Sequence, residues 1–502
     1  MSPKKKTTPT SAFTSLGFSK TIDALIEEVQ DLYLADSIPW VVGYSGGKDS
    51  TATLQLVWLA LQKLPQDKRN KPVHVISTDT LVENPIVASW VTNSLGVMER
   101  AASDQELPVE AHRLTPTVND SFWVNLIGRG YPAPRHKFRW CTERLKINPS
   151  NTFITNVVRE NGEAILVLGT RKAESTVRSG KMTKLENQRT RDHLSPNTSL
   201  PNSLVYSPIE NWSNDDVWLY LMQQANPWGY ENKDLLTMYQ GASPDGECPL
   251  VVDTTTPSCG DSRFGCWVCT MVDQDRSMSA MIQNDDEKEW MLPLLQLRNE
   301  LDVADDKHLR DFRRMSGRVQ LFHDEPIHGP YTQKSREQWL EKLLKAQSWV
   351  RAHGPEKVRE IELITPAELC EIRRIWVIDK HELEDSLPMI YQNATGEDYT
   401  DDTLDEHLPF GAEEMRLLRD ICADDWLHFE VARALLDIER RFRHKLKRAG
   451  LYAELEGAIR KGFYKDKEDA TEWARRSNSP KYALETIEAD DPPLSTQPEA
   501  IR

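Results

Sequence analysis

The chain has 502 residues, of which 39% are hydrophobic and 28% are charged, a composition typical of a globular protein with two or three domains. Its formal net charge of −16 excludes a uniformly basic nucleic-acid-binding protein, so any contact with nucleic acid must come from a local patch or a partner. No apolar run approaches the roughly 18 residues that a membrane span needs, and no apolar signal core follows the first lysines, so we expect a cytoplasmic protein without membrane contact.

The amino-terminal part of the chain is predicted to be an arm followed by a helix. Residues 1–15 are rich in Lys, Pro, Ser and Thr, which favours a disordered basic arm. Residues 21–34 carry apolar side chains at the spacing of one helix face, so they are predicted to form an amphipathic helix.

The sequence YSGGKDS, residues 44–50, is predicted to be a tight loop between a strand and a helix. Residues 40–42 are apolar, and residues 50–64 carry a helical apolar face. A loop at a helix amino terminus directs backbone N–H groups toward a phosphate, and Lys48 adds positive charge. The spacing does not fit a Walker A loop. The alternative to a phosphate-binding loop is a glycine turn that binds no ligand. The predicted phosphate-binding residues are Ser45, Gly46, Gly47, Lys48, Asp49 and Ser50.

Three further strands complete a predicted α/β fold with a doubly wound parallel sheet. The strands are expected at residues 73–77, 109–114 and 163–169, with a helix at residues 84–95 after the first of them. Because ligands gather at the carboxyl ends of strands in such sheets, Asp79 is expected beside the glycine loop. A helix N-cap is the alternative role for this carboxylate.

Two basic segments flank the fourth predicted strand. Residues 129–146 contain six Lys or Arg against one acidic residue, with aromatic side chains between them, and residues 171–191 contain seven against two. Such segments are candidate contacts for phosphates and bases, although most charge runs are solvated surfaces. The candidate nucleic-acid-binding residues are Arg135, Lys137 and Arg139.

Cys141 lies inside the first basic segment. Neighbouring cations are expected to lower the pKa of its thiol and so raise the thiolate fraction. The residue is a candidate for accepting or passing on sulfur, and a buried structural cysteine is the alternative.

Four of the seven cysteines cluster in the middle of the chain with the spacing C-x10-C-x6-C-x2-C. This spacing is too irregular for a zinc ribbon with two CxxC knuckles, and it favours a 4Fe-4S cluster over structural zinc or no metal. The predicted ligands are Cys248, Cys259, Cys266 and Cys269.

From about residue 284 onward the sequence predicts a helical, polar region. Residues 334–353 and 413–438 carry apolar stripes, and a capping box begins at Thr365. The predicted organisation is an arm at 1–15, an α/β domain with the glycine loop at 16–235, a cysteine-rich segment at 236–285, a helical domain at 286–474 and a disordered tail at 475–502.

The motif SGGKDS resembles the pyrophosphate-binding loop (PP-loop) of the ATP pyrophosphatases, which include phosphoadenylylsulfate (PAPS) reductases and tRNA thiolases. Residues 168–180 (LGTRKAESTVRSG) and 206–220 (YSPIENWSNDDVWLY) are similar to PAPS reductase segments that follow this loop. The resemblance implies an adenine nucleotide alpha hydrolase-like fold. It also implies a nucleotide site that includes Gly169, Arg171, Glu174 and Arg178 besides Asp79 and the loop.

These motifs together with RWCTERLK and the four cysteines resemble the DndC family, the iron-sulfur component of DNA phosphorothioation systems, over roughly residues 20 to 300. The resemblance implies that ATP with Mg2+ adenylates a DNA backbone oxygen and that sulfur from a cysteine desulfurase then displaces AMP. It implies catalytic roles for Lys48, Asp49 and Cys141, and partners similar to DndD and DndE. A tRNA thiolase, a PAPS reductase and a nucleotide-sensing scaffold are the alternatives. A PAPS reductase usually has a thiol near its carboxyl terminus, whereas the last cysteine of this chain is Cys422.

Overall fold

The computed structural model describes residues 11–189, 191–243, 264–401, 404, 410–423, 425–443 and 445–477. The chain forms two compact units. The first comprises Met1–Phe122, Pro134–Asp302 and Ala346–Leu363, and the second comprises Trp123–Ala133, Val303–Lys345 and Ile364–Arg502.

The first unit is built on a six-stranded sheet with the strand order β3-β2-β1-β4-β6-β5. All neighbouring strands are parallel except the pair of β5 and β6. The predicted parallel sheet is therefore confirmed, and two short strands, β5 and β6, are added to it. The strands are β1 Trp40–Gly43, β2 Val73–Thr78, β3 Val109–Leu114, β4 Ala164–Val167, β5 Ser195–Pro196 and β6 Ser203–Tyr206; a separate hairpin in the second unit pairs β7 Leu321–Phe322 with β8 Glu325–Pro326.

Helices account for most of the remaining described residues. The α-helices are α1 Phe18–Leu34, α2 Lys48–Lys63, α3 Pro85–Asp104, α4 Trp140–Thr142, α5 Asn148–Asn161, α6 Thr176–Glu186, α7 Asn214–Gln223, α8 Asn232–Gly241, α9 Arg276–Asn284, α10 Leu292–Leu301, α11 Gln333–His353, α12 Pro366–Arg374, α13 Leu387–Thr395, α14 Ala412–Cys422, α15 Trp426–Arg443, α16 Leu451–Gly462 and α17 Lys467–Ser477. Short 3-10 turns occur at Gln66–Lys68, Val118–Asp120, Lys172–Glu174, Asp286–Met291, Lys307–Leu309 and Glu356–Val358, and π-helical turns at Val124–Gly128, Glu143–Ile147 and Ile375–Asp379.

Helices cover both faces of the sheet because successive strand residues point to opposite sides. Val42 of β1 packs in the larger core cluster with apolar residues of α1 and α2. Its neighbour Val41 packs instead in a second cluster with Ile154 and Val157 of α5. This two-sided burial explains why the central strands are nearly continuous apolar runs.

The chain is already ordered before residue 16, so the predicted arm is too long at its carboxyl end. Phe13 is buried and makes edge-to-face contacts with Phe18 and Trp212. Ser11 donates its hydroxyl hydrogen to Asp216 at the start of α7, and the backbone N–H of Ala12 donates to the same carboxylate. This apolar and hydrogen-bonded anchor fixes the segment before α1.

The carboxyl-terminal region is helical, as predicted. The capping box is confirmed, since Thr365 Oγ1 accepts from Glu368 N across 3.2 Å and the Glu368 carboxylate accepts from Thr365 N. The single stripe expected at residues 413–438 is wrong, because α14 ends at Cys422, Ala423 has a φ of +50° and α15 begins at Trp426. Helix α17 continues to Ser477, beyond the predicted start of the tail. None of the helices in the described ranges combines the length and apolar character that crossing a bilayer requires.

Candidate functional site

The glycine loop joins the carboxyl end of β1 to the first turn of α2. Gly46 has a φ of +72°, and a Cβ at this position would lie 2.5 Å from the side chain of Val91, so only glycine fits. Ser45 N donates to Ser50 Oγ across 3.2 Å, which closes the loop on itself. Gly47, the residue before α2, has no side chain that could cap the helix, and the positive end of the helix dipole lies at the loop.

Asp49 connects the glycine loop to the segment after β4. Arg171 is 4% exposed, and its Nε donates to Asp49 Oδ1 across 2.7 Å. Gly169 allows this approach, because a Cβ there would lie 2.6 Å from the carbonyl oxygen of Asp49. Three residues predicted for the nucleotide site are thus in one contact network.

The two remaining residues predicted after β4 belong to the same network. Arg171 N donates to Glu174 Oε1 across 3.0 Å, and the other carboxylate oxygen of Glu174 pairs with Arg178. Glu174 therefore holds the backbone of Arg171 in place, while the half-exposed Arg178 lines the adjoining cleft.

Lys48 lies beside an aromatic residue that the sequence analysis did not identify. Its Nζ is 5.3 Å from the ring centroid of Tyr239 in α8 and 3.5 Å from Asp49 Oδ2. The Tyr239 hydroxyl accepts from Lys48 N across 3.4 Å, and burial raises the pKa of this phenol, so it stays neutral. No local sequence signal marks Tyr239, because 191 residues separate it from Lys48.

A cleft of about 1600 Å³ opens in front of the loop. Its walls include the carboxyl ends of β1, β2 and β4, as expected for a parallel sheet. Asp79 lies in this cleft, where it pairs with Arg113 and its Oδ1 accepts from Leu81 N across 2.8 Å. The alternative role as a helix N-cap is wrong, since Asn84 caps α3.

Cys266 and Cys269 lie beside the same strand end. Trp267 N donates to Val82 O across 2.9 Å, and Thr80 Oγ1 is 3.3 Å from Cys266 Sγ, so the CxxC turn is fixed against the segment after β2. The Cys269 thiol interacts electrostatically with those of Cys266 and Cys141. The other two predicted ligands, Cys248 and Cys259, lie outside the described residues.

The predicted low pKa of Cys141 is wrong. Burial raises the pKa of the Cys141 thiol, and the neighbouring Cys269 raises it further. The cations of the basic segment do not offset this, because Arg144 pairs with Asp120 at 2.6 Å and Lys146 with Glu83 at 3.2 Å.

The pKa of Cys266 is also raised, to about 12, first by burial and then by the charge of Glu83. Buried thiols of this kind are weak nucleophiles as such, whereas metal coordination would deprotonate them. Thiolates are the ligands that iron-sulfur clusters and zinc prefer, so the chemistry of the two described ligands, Cys266 and Cys269, fits the predicted cluster.

The first basic segment contains a tight turn with exposed charge at its tip. Arg135 N donates to Phe138 O and Phe138 N to Arg135 O, across 3.2 and 2.8 Å. Arg135 also pairs with Asp302, so its charge is compensated. Lys137 and Arg139 are exposed and take part in no ion pair within the part of the chain that the structure describes. The open positive charge of this segment is therefore at these two residues, next to the half-exposed ring of Phe138.

The second basic segment is mostly committed to internal ion pairs. Its paired residues and their partners are Arg171 with Asp49, Lys172 with Glu186, Arg178 with Glu174, Arg189 with Glu210 and Arg191 with Asp36. Its contribution to binding nucleic acid is accordingly smaller than the charge count suggests.

Comparison with known proteins identifies the class of the sheet-containing domain. Residues 39–271 match the family model of the phosphoadenosine phosphosulfate reductase domain. These residues are therefore similar to that domain, in agreement with the coarse resemblance drawn from the sequence motifs.

Individual relatives are distant. An uncharacterized protein of Methanocaldococcus jannaschii is 27% identical over 203 residues, which cover 40% of this chain and 35% of the relative. The match thus spans about a third of that curated relative's length. The solved structure of the U34-tRNA thiolase NcsA from Methanococcus maripaludis, with its 4Fe-4S cluster, is 12% identical and covers 58% of this chain and 82% of its own. Its TM-score of 0.27 supports no inference about the present protein.

Proposed function

We propose that the protein is an ATP pyrophosphatase that adenylates a non-bridging oxygen of the DNA backbone, so that sulfur can replace it. The observation that supports this proposal is the shared cleft. The glycine loop at the amino end of α2 and the pair of Lys146 and Glu83, which adjoins Cys266, line the same cavity. Nucleotide activation and a thiol-rich centre would then act on one substrate.

The nucleotide step needs only groups that the loop supplies. Residues 45–50 bind the β and γ phosphates of ATP through backbone N–H groups and the dipole of α2. Lys48 offsets the negative charge that grows as pyrophosphate leaves, and an acceptor oxygen attacks the α-phosphorus. The carboxylates of Asp49 and Asp79 offer oxygen ligands of the type that Mg2+ prefers. No side chain has to form a covalent bond with the substrate.

Cys266 and Cys269 are the described residues that would hold a 4Fe-4S cluster, together with Cys248 and Cys259. Cys141, whose thiol interacts electrostatically with that of Cys269, is assigned to sulfur transfer. A bound cluster would supply iron at which inorganic sulfur can bind. In this proposal a cysteine desulfurase delivers sulfur as a persulfide, an added dithiol reductant supplies the two electrons that convert it to sulfide, and the sulfide displaces AMP from the adenylated phosphate. Other phosphorothioation proteins similar to DndD and DndE assist on DNA. The charges of Cys266 in its thiolate form and of Glu83 raise the pKa of Lys146, so its ammonium group would stabilise thiolate charge beside it.

The acceptor contact is assigned to the turn at residues 135–139. Exposed cations with an adjacent aromatic ring bind a phosphate backbone and stack on a base. These features suit single-stranded DNA and RNA alike, so a tRNA thiolase is the second candidate. The matched family does not separate the two acceptors.

A sulfur-transfer assay distinguishes these functions. Anaerobic full-length protein, a cysteine desulfurase, radiolabelled cysteine and MgATP are incubated with DNA or with tRNA, and label in each nucleic acid is measured beside pyrophosphate release. We expect ATP-dependent label in DNA that survives digestion as phosphorothioate dinucleotides. Label in tRNA alone would establish the second candidate, and absence of pyrophosphate release with either acceptor would exclude the enzymatic proposal.

A further inference from the structure

Two histidines and a glutamate meet on one face of the sheet, away from the glycine loop and the cysteines. His74 belongs to β2, whereas Glu110 and His112 belong to β3. The parallel register places His74 opposite Glu110 and Ile76 opposite His112. Because side chains two residues apart on a strand share a face, all three side chains point to the same side of the sheet.

The three side chains offer their ligand atoms to a common point. His74 Nδ1 is 3.2 Å from His112 Nε2 and 3.3 Å from Glu110 Oε2, and His112 Nε2 is 3.7 Å from the same oxygen. Ligands bound to a tetrahedral zinc ion at roughly 2.0–2.1 Å lie about 3.3–3.4 Å from one another. The observed spacing is thus that of three ligands around one ion.

Hydrogen bonds satisfy this arrangement only while protons lie on the facing nitrogens, so that His74 Nδ1 and His112 Nε2 donate to the Glu110 carboxylate. When a facing nitrogen is not protonated, its lone pair points toward the carboxylate oxygen. Electron pairs that converge in this way repel each other unless a proton or a cation lies between them. A divalent cation would accept all three pairs at once.

We propose that His74, Glu110 and His112 bind a divalent metal ion of the zinc class. Imidazole and carboxylate ligands suit Zn2+ better than the soft iron-sulfur centres that thiolates hold, so this site and the cysteine site select different metals. Two histidines and one carboxylate leave a fourth position open for water.

The surroundings support a site that a metal can reach. The side chains of His74 and His112 are 16% and 30% exposed, whereas that of Glu110 is 62% exposed, and β3 is the edge strand of the sheet. The ring of Phe153 in α5 lies 4.8 Å from that of His112 and 5.7 Å from that of His74, which limits the rotation of both imidazoles.

A metal at this point would bridge the edge strand to β2 through side chains as well as through the backbone ladder. Strand β2 leads directly to Asp79 in the cleft. The site would therefore stabilise the strand that positions one wall of the candidate active site, without contributing ligands to the reaction.

Competition titration of the full chain with Zn2+ and a chromophoric chelator tests the proposal. The wild type should bind one more equivalent of Zn2+ than the variant H74A/H112A, with the cysteines in the same state in both proteins. Removal of a single ligand, as in H112Q, should lower the affinity for the additional Zn2+ ion at least about 100-fold. Residues that only hydrogen-bond to metal ligands already contribute 10–100-fold to metal affinity. The matched control is H193Q, because His193 faces Glu28 at 3.2 Å with no second imidazole in the described contacts.

Co2+ as a spectroscopic probe separates this site from the cysteines. The difference spectrum between wild type and H74A/H112A should show ligand-field bands without thiolate-to-cobalt charge transfer. A thiolate band in that difference, or equal stoichiometry in the two proteins, would overturn the proposal. In case the double variant unfolds, E110Q changes only an exposed side chain. If E110Q and H112Q both keep the affinity and the Zn2+-induced rise in Tm of the wild type, the three side chains are only a hydrogen-bonded cluster.

Discussion

Arg171 and Asp49 form a short ion pair that joins the segment after β4 to the first turn of α2. The guanidinium Nε donates to Asp49 Oδ1 across 2.7 Å, and its Nη1 donates to Trp212 O across 3.3 Å. The side chain of Arg171 is almost fully buried, whereas that of Asp49 retains 25% exposure toward the cleft. The pair therefore fixes the glycine loop from behind.

Replacement of Asp49 by Ala should lower the free energy of unfolding by about 2–4 kcal/mol, because Arg171 would remain buried without its partner. Urea denaturation measures this loss. D23A is the control, since Asp23 pairs with Lys63 in an exposed ion pair that should contribute less than about 1 kcal/mol. A double-mutant cycle with R171M should show strong coupling. Additive effects of D49A and R171M would mean that the pair does not stabilise the loop.

Replacement of Lys48 by Ala should slow pyrophosphate release by about 100-fold or more while leaving Tm within a few degrees, because the proposed work of Lys48 is on charge that develops during the reaction. K63A, at the other end of α2, should keep the wild-type rate. Equal rates in K48A and wild type would show that the loop does not act on the nucleotide phosphates.

Protein purified without oxygen should be brown and should lose its colour in air, as expected for a 4Fe-4S cluster. The variants C266S and C269S should bind less iron and sulfide, and C141S should do so if that thiol is a ligand. C422S is the control, since Cys422 is buried in α14 of the second unit. A colourless protein with one zinc per chain would exclude the cluster.

Charge reversal at the exposed turn should weaken nucleic-acid binding without affecting ATP binding. In K137E/R139E, the slope of log affinity against log salt concentration should fall in magnitude by about 2, because two phosphate contacts are lost. K20E/K68E changes the net charge equally at exposed positions elsewhere and should keep the wild-type slope. Fluorescence anisotropy of a labelled nucleic acid at several salt concentrations measures the slope for each variant. Unchanged slopes in both variants would exclude the turn as the contact.

Asp216 should make stability depend on pH. Burial raises its pKa, but hydrogen bonds from Ser11, Ser213 and Ala12 outweigh this effect and lower the pKa below the usual 3.8. The contribution of Asp216 to the free energy of unfolding is therefore complete above about pH 5. It is lost as the pH falls through the pKa of Asp216 in the folded protein. D216N should cost about 1 kcal/mol at pH 7, and the difference from wild type should shrink below pH 3.8.

The neighbouring Asp215 serves as a control, because its pKa is shifted in the opposite direction to that of Asp216. Burial, with help from the charge of Asp216, raises its pKa above 3.8, so the ionised form destabilises the fold slightly at neutral pH. D215N should accordingly match or exceed wild-type stability at pH 7. Equal losses in D215N and D216N across the pH range would show that the hydrogen bonds to Asp216 do not govern the effect.

The sequence alone predicted the sheet because its central strands are short apolar runs followed by helical periodicity. Gly46 and Gly47 also indicated a tight loop between a strand and a helix. Burial on both faces produces this pattern directly. The strands β5 and β6 were missed. β5 has only two residues, and β6 begins with a polar residue and is buried only at its two ends, so it lacks the continuous apolar run of the equally short β1 and β4.

Long-range partners explain the remaining differences in the site. Tyr239 reaches Lys48 from a helix far along the chain, and nothing in its own neighbourhood indicates this contact. The error for Cys141 has the same origin. The sequence shows the cations beside the thiol, but not the carboxylates of Asp120 and Glu83 that pair with them, nor the burial that raises the thiol pKa.

The anchoring of Ser11 has a practical meaning for work on this protein. Its side chain borders the cleft and is bonded to Asp216, so this stretch belongs to the wall that surrounds the substrate. A shortened version starting at Phe18 would keep every strand and helix and could pass as correctly folded by circular dichroism, yet one side of its cleft would be missing. Trimming for crystallisation or display should therefore stop before Ser11.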